Sequence, residues 1–187
     1  EDLTRAIQLD PQFAKAWNFR AEARLQKGDV QGAIADCTRA IELDGEFYWA
    51  WSTRGDARRE SGDWEGAIED YTKAIEIEPE YTTPWSNRGS SRVNAGDLDG
   101  AIEDLTRAIQ LDPRFPKAWY SRAEARLKKG DRQGAIADCT RAIELDGNYA
   151  SDSTPVPPPF YWAPRPIASP DKSLNWLVDS GLIPQFG

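Results

Sequence analysis

The stretch EDLTRAIQLDP occupies residues 1–11 and returns unchanged at residues 103–113. Related segments follow at a spacing of 34 residues: ADCTRAIELDG at 35–45, EDYTKAIEIEP at 69–79, and ADCTRAIELDG again at 137–147. A longer copy is also visible, because residues 1–48 and 103–150 match at 39 of 48 positions. A fixed period of this length is typical of repeat architectures, in which each repeat is one supersecondary unit.

A second segment alternates with the first. It reads AWNFRAEARLQKGD at 16–29, AWSTRGDARRESGD at 50–63, PWSNRGSSRVNAGD at 84–97 and AWYSRAEARLKKGD at 118–131. In its first copy Trp17, Ala21 and Leu25 share one helical face. The Gly28-Asp29 pair then interrupts the pattern, as a turn does. Each copy therefore predicts one amphipathic helix followed by a reversal.

The segment after each reversal predicts a second helix. Its inner stripe in the first unit is Ala33, Ile34, Cys37, Ala40 and Ile41, and the small alanines would let neighbouring helices approach closely. An Asp-Gly or Asp/Glu-Pro dipeptide follows each copy and predicts the helix end. The repeating unit is thus a pair of helices, and the fold class is all-α.

These residues resemble the tetratricopeptide repeat (TPR) family. The resemblance covers residues 1–149 and is carried by a large residue early in the first helix (Trp17, Trp51, Trp85, Trp119), a small residue four positions on (Ala21, Gly55, Gly89, Ala123), and paired alanines in the second helix (Ala33/Ala40, Ala67/Ala74, Ala101/Ala108, Ala135/Ala142). It implies an α-solenoid of helix-turn-helix repeats in a right-handed superhelix. First helices would line a concave groove that binds peptides or partner proteins.

The resemblance predicts this division of the chain: residues 1–13 as the second helix of an incomplete unit, four units at 14–47, 48–81, 82–115 and 116–149, a Pro/aromatic-rich extended segment at 150–168, and a short amphipathic helix with a C-terminal tail at 169–187. The opening helix has no first helix before it in this sequence. We interpret the chain as a fragment of a longer array, or as one completed by a neighbouring molecule.

Composition excludes several classes of function. The net charge is −8 with a pI near 4.7, which argues against nucleic-acid binding because that affinity comes from Lys and Arg on phosphates. No stretch approaches 18 apolar residues, so no membrane span is predicted. The chain has no histidine and two cysteines, too few for a metal cage. With no nucleophile or phosphate-loop motif, we predict a non-enzymatic protein without cofactors, and the compartment stays unassigned.

One departure from the family pattern is an arginine in the first helix of every unit. An aspartate on the second helix accompanies it, and a partly buried guanidinium needs an acceptor. We therefore predict four intra-unit pairs, with four solvated arginines as the alternative: Arg20–Asp36, Arg54–Asp70, Arg88–Asp104 and Arg122–Asp138. Cys37 and Cys139 lie three units apart, beyond the span of a disulfide.

The candidate peptide groove follows from the family's first-helix positions. These include Lys15, Asn18, Phe19, Trp49, Ser52, Asp56, Asn87, Lys117, Tyr120 and Glu124. A carboxylate clamp known in the family matches only at Asn87 and Lys117, and Asp56 would repel a carboxylate. Mixed aromatic and small polar residues favour an extended peptide with aromatic or proline contacts. For Phe19 and Trp49, packing between helices is the alternative, and the four repeated tryptophans are predicted to belong to the core.

The last 38 residues break the repeat. Proline density in TPVPPPFYWAPRP (154–166) favours polyproline II, and Ser169-Pro170 begins a short helix with Leu174, Leu177 and Val178 on one face. The candidate docking residues here are Phe160, Tyr161, Trp162, Trp176 and Leu177. This tail either covers the last unit of its own chain or enters the groove of another copy.

The functional prediction is a protein–protein interaction or assembly module. Its groove binds an extended peptide, and the peptide could be the tail of its own or a neighbouring copy, which would give head-to-tail self-assembly into filaments. The alternative is an adaptor or co-chaperone-like receptor for a peptide of another protein. An enzyme whose catalytic domain lies outside this chain stays open as a third interpretation.

Overall fold

The computed structural model describes the backbone of residues 2–151 and the side chains of residues 2–145. All regular secondary structure in that part of the chain is α-helical, which confirms the predicted fold class. The helices are α1 (Asp2–Leu9), α2 (Ala14–Gln26), α3 (Val30–Leu43), α4 (Tyr48–Glu60), α5 (Trp64–Ile77), α6 (Thr82–Ala95), α7 (Leu98–Leu111), α8 (Pro116–Lys128) and α9 (Arg132–Ser151). The predicted tail residues beyond Ser151, with all five docking candidates, lie outside the described residues.

The helices form pairs, α2/α3, α4/α5, α6/α7 and α8/α9, joined by a Gly-Asp reversal. We call α2, α4, α6 and α8 the first helices and the others the second helices. At the first reversal Gly28 has a φ of 80°, a conformation that glycine adopts without strain. The Asp29 carboxylate then caps α3 by accepting a hydrogen bond from the Gly32 amide at 3.0 Å. A Cβ at position 32 would lie 2.2 Å from Asp29 Oδ2, so the cap itself requires glycine three residues on.

The repeated tryptophans fix the turn that precedes each first helix. The Trp17 indole N–H donates to the Pro11 carbonyl oxygen at 3.0 Å, and the other three tryptophans donate to the carbonyl six residues earlier in the same way. Each ring is half-buried, and an arginine guanidinium lies 4.9–5.0 Å from its centroid. The tryptophans therefore hold the junction between consecutive units.

The structure brings all four predicted Arg–Asp pairs together. Arg20 donates two hydrogen bonds to the Asp36 carboxylate, both at 2.7 Å, and the other three pairs have the same two-bond geometry at 2.7–2.9 Å. Each aspartate also contacts a second arginine, which is Arg24 at 2.9 Å in the first unit. Sequence reasoning missed this second arginine (Arg24, Arg58, Arg92, Arg126).

The paired arginines also connect neighbouring units. Arg54 Nη1 donates to the Thr38 hydroxyl of the preceding unit at 3.2 Å, and Arg88 and Arg122 donate to Thr72 and Thr106 at 2.9 and 3.0 Å. A line of buried, charge-assisted hydrogen bonds thus runs from unit to unit. The same three residue types recur throughout, so we assign this line to the architecture.

One predicted helix end is wrong. The Asp-Gly dipeptide at 146–147 predicts a stop, yet α9 continues to Ser151, while the same dipeptide at 44–45 does follow the end of α3. Asp-Gly does not by itself forbid a helix, since an internal glycine costs only about 1 kcal/mol. After α3, Phe47 and Ala50 pack into a cluster with Ala40, and this packing turns the chain.

Candidate peptide-binding groove

The second unit contains the first departure from the repeating core. Tyr71 occupies the place of Cys37 in the first unit, and its ring is fully buried. Gly55 lies opposite, and a Cβ there would come within 2.7 Å of the Tyr71 ring. Glycine and tyrosine are therefore a complementary pair, in which the missing Cβ makes room for the large ring.

The buried tyrosine places its hydroxyl beside a carboxylate of the first helix. Tyr71 donates to Asp56 Oδ1 at 2.7 Å, and Asn87 Nδ2 of the next unit donates to the same oxygen at 2.8 Å. Asn87 Oδ1 in turn accepts from Lys117 Nζ at 2.7 Å. The side chains of three consecutive first helices, α4, α6 and α8, are thus joined through one carboxylate and one amide.

Two cations face this single carboxylate. Arg59 Nε lies 3.9 Å from Asp56 Oδ1 and is a buried atom without a hydrogen-bond acceptor among the described residues. Burial lowers the pKa of Lys117, and the positive charge of Arg59 lowers that pKa further, while Asp56 opposes both effects. The polar cluster, defined as Asp56, Arg59, Tyr71, Asn87 and Lys117, therefore contains two cationic groups and one carboxylate, and the Glu60 charge also acts on Arg59.

An aromatic group adjoins the polar cluster. The Tyr48 ring centroid lies 5.6 Å from that of Trp49 and 5.3 Å from that of Tyr81, the second pair edge-to-face. Burial raises the pKa of Tyr81, and hydrogen bonds with Thr83 and Trp49 oppose the rise. Trp49 and Asp56 lie seven residues apart on one face of α4. We call Tyr48, Trp49 and Tyr81 the aromatic shelf, and all three are partly exposed.

At the first unit the groove contains a carboxyl group with an unusual protonation equilibrium. Glu22 accepts from Asn18 Nδ2 at 2.9 Å. Burial is the largest cause that raises the pKa of Glu22 to about 7, and the Asp56 charge adds to it, while Asn18 and Thr53 oppose it. In the copied block Glu124 instead pairs with Lys128 at 2.9 Å.

The predicted groove residues divide into four groups. Asp56, Asn87 and Lys117 join the polar cluster, and Trp49 joins the aromatic shelf. Asn18 and Ser52 are buried, and so are Asn87 and Tyr71 of the polar cluster, which places all four between helices. The part of the cluster open to a peptide is Asp56, Arg59 and Lys117, which are partly exposed. The others are Lys15, which is exposed, Phe19 and Tyr120, which are half-buried, and Glu124, which is paired with Lys128.

Sequence reasoning missed Tyr71, Tyr48 and Tyr81 as site residues. Tyr71 lies on a second helix, outside the positions assigned to the groove. The sequence did contain an indication. The four aligned core positions read Cys37, Tyr71, Leu105 and Cys139, and among these residue types only tyrosine has a hydroxyl group that can reach a side chain on the first helix of its unit.

Comparison with known proteins identifies the class. The tetratricopeptide repeat profile matches residues 1–46 and 86–150, and a TPR-repeat profile matches residues 55–94. The chain belongs to the tetratricopeptide repeat family, whose fold serves protein–protein interaction. No curated protein matches the sequence at a significant level.

Solved structures agree with the fold. The crystal structure of MamA has a TM-score of 0.72 at 23% identity and covers 80% of this chain and 87% of its own. A thermophilic TPR protein of Thermus thermophilus has a TM-score of 0.65 at 23% identity, covering 80% and 86%. The first TPR of Spaghetti (RPAP3), bound to the HSP90 peptide SRMEEVD, has a TM-score of 0.63 at 21% identity, covering 65% and 96%.

Metal sites and membrane-crossing helices are two further kinds of feature that bear on function in the described part of the chain. Residues 2–145 contain no group of three or more Cys, Asp or Glu side chains arranged to hold a metal ion. Among the helices described, none is both long and apolar enough to cross a membrane.

Proposed function

We propose that this chain is a non-enzymatic interaction module whose first-helix groove binds an extended peptide across the second to fourth units. The observation that carries the proposal is where the repeat breaks. Residues that recur in every unit build the array, as the Arg–Asp pairs do. The aromatic shelf and the polar cluster occur once and adjoin each other, and Asp56, Arg59 and Lys117 of the cluster are partly exposed.

The chemistry of the two groups suggests the kind of peptide. Aromatic faces that are partly exposed and rigid bind proline and aromatic side chains with large contact area and little loss of conformational entropy. Beside them, the cluster contains two cationic groups, Arg59 and Lys117, and Arg59 Nε has no acceptor among the described residues, so an acidic group of the peptide would pair with them. A peptide with a proline or aromatic residue close to a carboxylate fits both.

The source of the peptide has two candidates. The first is the Pro/aromatic segment 154–166 of a neighbouring copy, which would link chains head to tail. The second is a peptide of another protein, as the RPAP3 structure with its acidic HSP90 peptide illustrates for this fold. The first makes the protein a self-assembling component and the second makes it an adaptor.

Fluorescence anisotropy with the full chain tests the proposal. The probes are labelled peptides of residues 154–166 and of the sequence SRMEEVD. We expect at least one probe to bind, and Trp49→Ala to weaken that binding at least tenfold, because it removes the largest ring of the shelf. Trp64→Ala is the matched control, since Trp64 lies on the second helix α5. Loss of binding in both variants, or no binding of either peptide, would contradict the proposed site.

Light scattering over a range of concentrations separates the two sources. If the tail of a neighbouring copy is the ligand, the mean mass rises with concentration, and Trp49→Ala removes that rise. If the ligand belongs to another protein, the mass stays that of one chain, and Lys117→Ala weakens binding of the acidic probe.

A further inference from the structure

Glu22 is a carboxyl group of the groove that has no cation beside it. It lies on α2 and is partly exposed. Its hydrogen-bonding partners are uncharged: Asn18 donates to Oε1 at 2.9 Å, and Thr53 of α4 is the other partner. Among residues 2–145, no lysine or arginine forms an ion pair with it. Partial burial of an ionised carboxyl group without a cation is unfavourable, so Glu22 differs from Asp36, which contacts two arginines.

The copied block shows the same carboxyl group with a cation in place. Glu124 occupies the corresponding position of α8, and Lys128, four residues later, pairs with its carboxylate at 2.9 Å. In the first block the position of this lysine is taken by Gln26, which is neutral, although residues 21–25 and 123–127 are identical. The exchange of lysine for glutamine leaves Glu22 available to a cation that is not part of the array.

The titratable groups around Glu22 add negative charge rather than positive charge. Burial is the main cause that raises the pKa of Glu22 to about 7, and the charge of Asp56 on α4 adds to it. Cys37 on α3 also interacts with the Glu22 charge, and burial above all raises the pKa of this thiol. Asp56 already accepts hydrogen bonds from Tyr71 and Asn87. A cation that enters here would therefore stabilise the ionised form of Glu22.

We propose that Glu22 determines specificity in the groove by binding a basic side chain, lysine or arginine, of the bound peptide. This inference rests on the proposed function, since it names a second contact of the same peptide. The groove then has opposite preferences along its length: Glu22 in the first unit binds a positive charge, while Arg59 and Lys117 in the second and fourth units bind a negative one. The direction of the peptide follows, because a reversed peptide would place like charges together.

Fluorescence anisotropy of the full chain with matched peptides tests this contact. The probes are SRMEEVD, residues 154–166, and a version of each in which the single arginine is replaced by glutamine (Arg165→Gln in the second). At pH 8 we expect Glu22→Gln to weaken binding of an arginine-containing probe about fivefold and to leave binding of its glutamine version unchanged. Glu42→Gln is the matched control, because it removes the same charge from an exposed position on the second helix α3.

The pH dependence provides a readout that a purely structural role of Glu22 would not change. The chain has no histidine, the carboxyl groups of the probes ionise well below pH 6, and a fluorophore on the N-terminal amine of each probe removes the titration of that amine. Affinity for the arginine-containing probe should rise about threefold from pH 6 to pH 8, as the Glu22 carboxyl group ionises. Glu22→Gln should abolish this rise.

Gln26→Lys tests the same contact from within the chain. It introduces the cation that Lys128 provides in the copied block, so it should weaken binding of the arginine-containing probe about threefold and leave the glutamine version unchanged.

The outcomes separate this inference from the proposed function. Equal weakening of both probe versions by Glu22→Gln, or an affinity that is the same at pH 6 and pH 8, overturns the role of Glu22. The groove itself is then still supported if Trp49→Ala weakens binding of both versions. Absence of binding by every probe overturns the groove and the Glu22 contact together.

Discussion

Residues 31–45 and 133–147 have the same sequence, QGAIADCTRAIELDG, yet the helices that they form, α3 and α9, end differently. α3 stops at Leu43, whereas α9 runs on to Ser151. The difference lies in the next segment of the chain: Phe47 and Ala50 fold over α3, and no first helix comes after α9 within residues 2–151. A helix end in this array is therefore decided by the packing of the next unit rather than by the Asp-Gly dipeptide.

The thiols on these two helices show the same contrast. Burial raises the pKa of Cys37 well above its ordinary value, and the Arg54 charge of the covering helix opposes the rise. Burial also raises the pKa of Cys139, to about 11. Identical neighbours along the helix thus produce different degrees of burial, because one helix has a first helix on both sides and the other has one on a single described side.

The largest effect is expected from removing the aspartate of the Arg–Asp pair, which is Asp36 in one copied block and Asp138 in the other. Asp36→Ala leaves Arg20 without its carboxylate and removes one of the acceptors of Arg24, and should lower the free energy of unfolding by about 3–5 kcal/mol, as loss of one partner of a buried ion pair does. Asp138→Ala should cost less, because terminal units open locally. Urea denaturation followed by circular dichroism measures both. Equal losses below about 1 kcal/mol would contradict the assigned role.

A smaller effect is expected where the copied blocks differ at the start of the second helix. Val30 packs on the cluster of Ala21, Cys37 and Ala57, while Arg132 is exposed. Val30→Arg should lower the free energy of unfolding by about 2 kcal/mol, since it replaces a packed apolar side chain by a charge. Arg132→Val should change it little. Thermal unfolding of the two variants provides the measurement, and a larger cost for Arg132→Val would reverse the comparison.

The smallest effect depends on pH and separates Glu22 from Glu124. Because the folded pKa of Glu22 is raised from 4.5 to about 7, the folded state keeps a proton that the unfolded state has lost between those values. Stability therefore falls as pH rises through this interval. Glu22→Gln should add about 1–2 kcal/mol at pH 8, after allowance for solvent screening, and almost nothing at pH 4.5.

The matched variant for this prediction is Glu124→Gln. It removes an exposed ion pair with Lys128 and should change stability by less than about 0.5 kcal/mol at either pH. Denaturation curves at pH 4.5 and pH 8 measure the change in the free energy of unfolding for each of the two variants at each pH. A gain for Glu22→Gln that is the same at both pH values would show that burial of the carboxylate is not its cause.

Features that recur could be predicted from sequence, because each copy repeats the evidence. The Arg20–Asp36 pair and its three equivalents could be predicted because every unit has an arginine at the same partly buried position of its first helix. Every unit also has an aspartate 16 residues later, on its second helix. The polar cluster could not be predicted in the same way. Tyr71, Asp56 and Asn87 each occur once, lie in different helices, and meet only because Gly55 leaves room for the tyrosine ring.

The helix pairs, their 34-residue period and the reversal at each Gly-Asp can be read from the residues alone, because they depend on contacts between residues close along the chain. Three other features required the folded array: which helix ends at an Asp-Gly dipeptide, which of two identical faces is covered, and which carboxylate lies beside Lys117 and Arg59. These outcomes depend on burial, and burial is set by the neighbouring unit rather than by the residues of the helix itself.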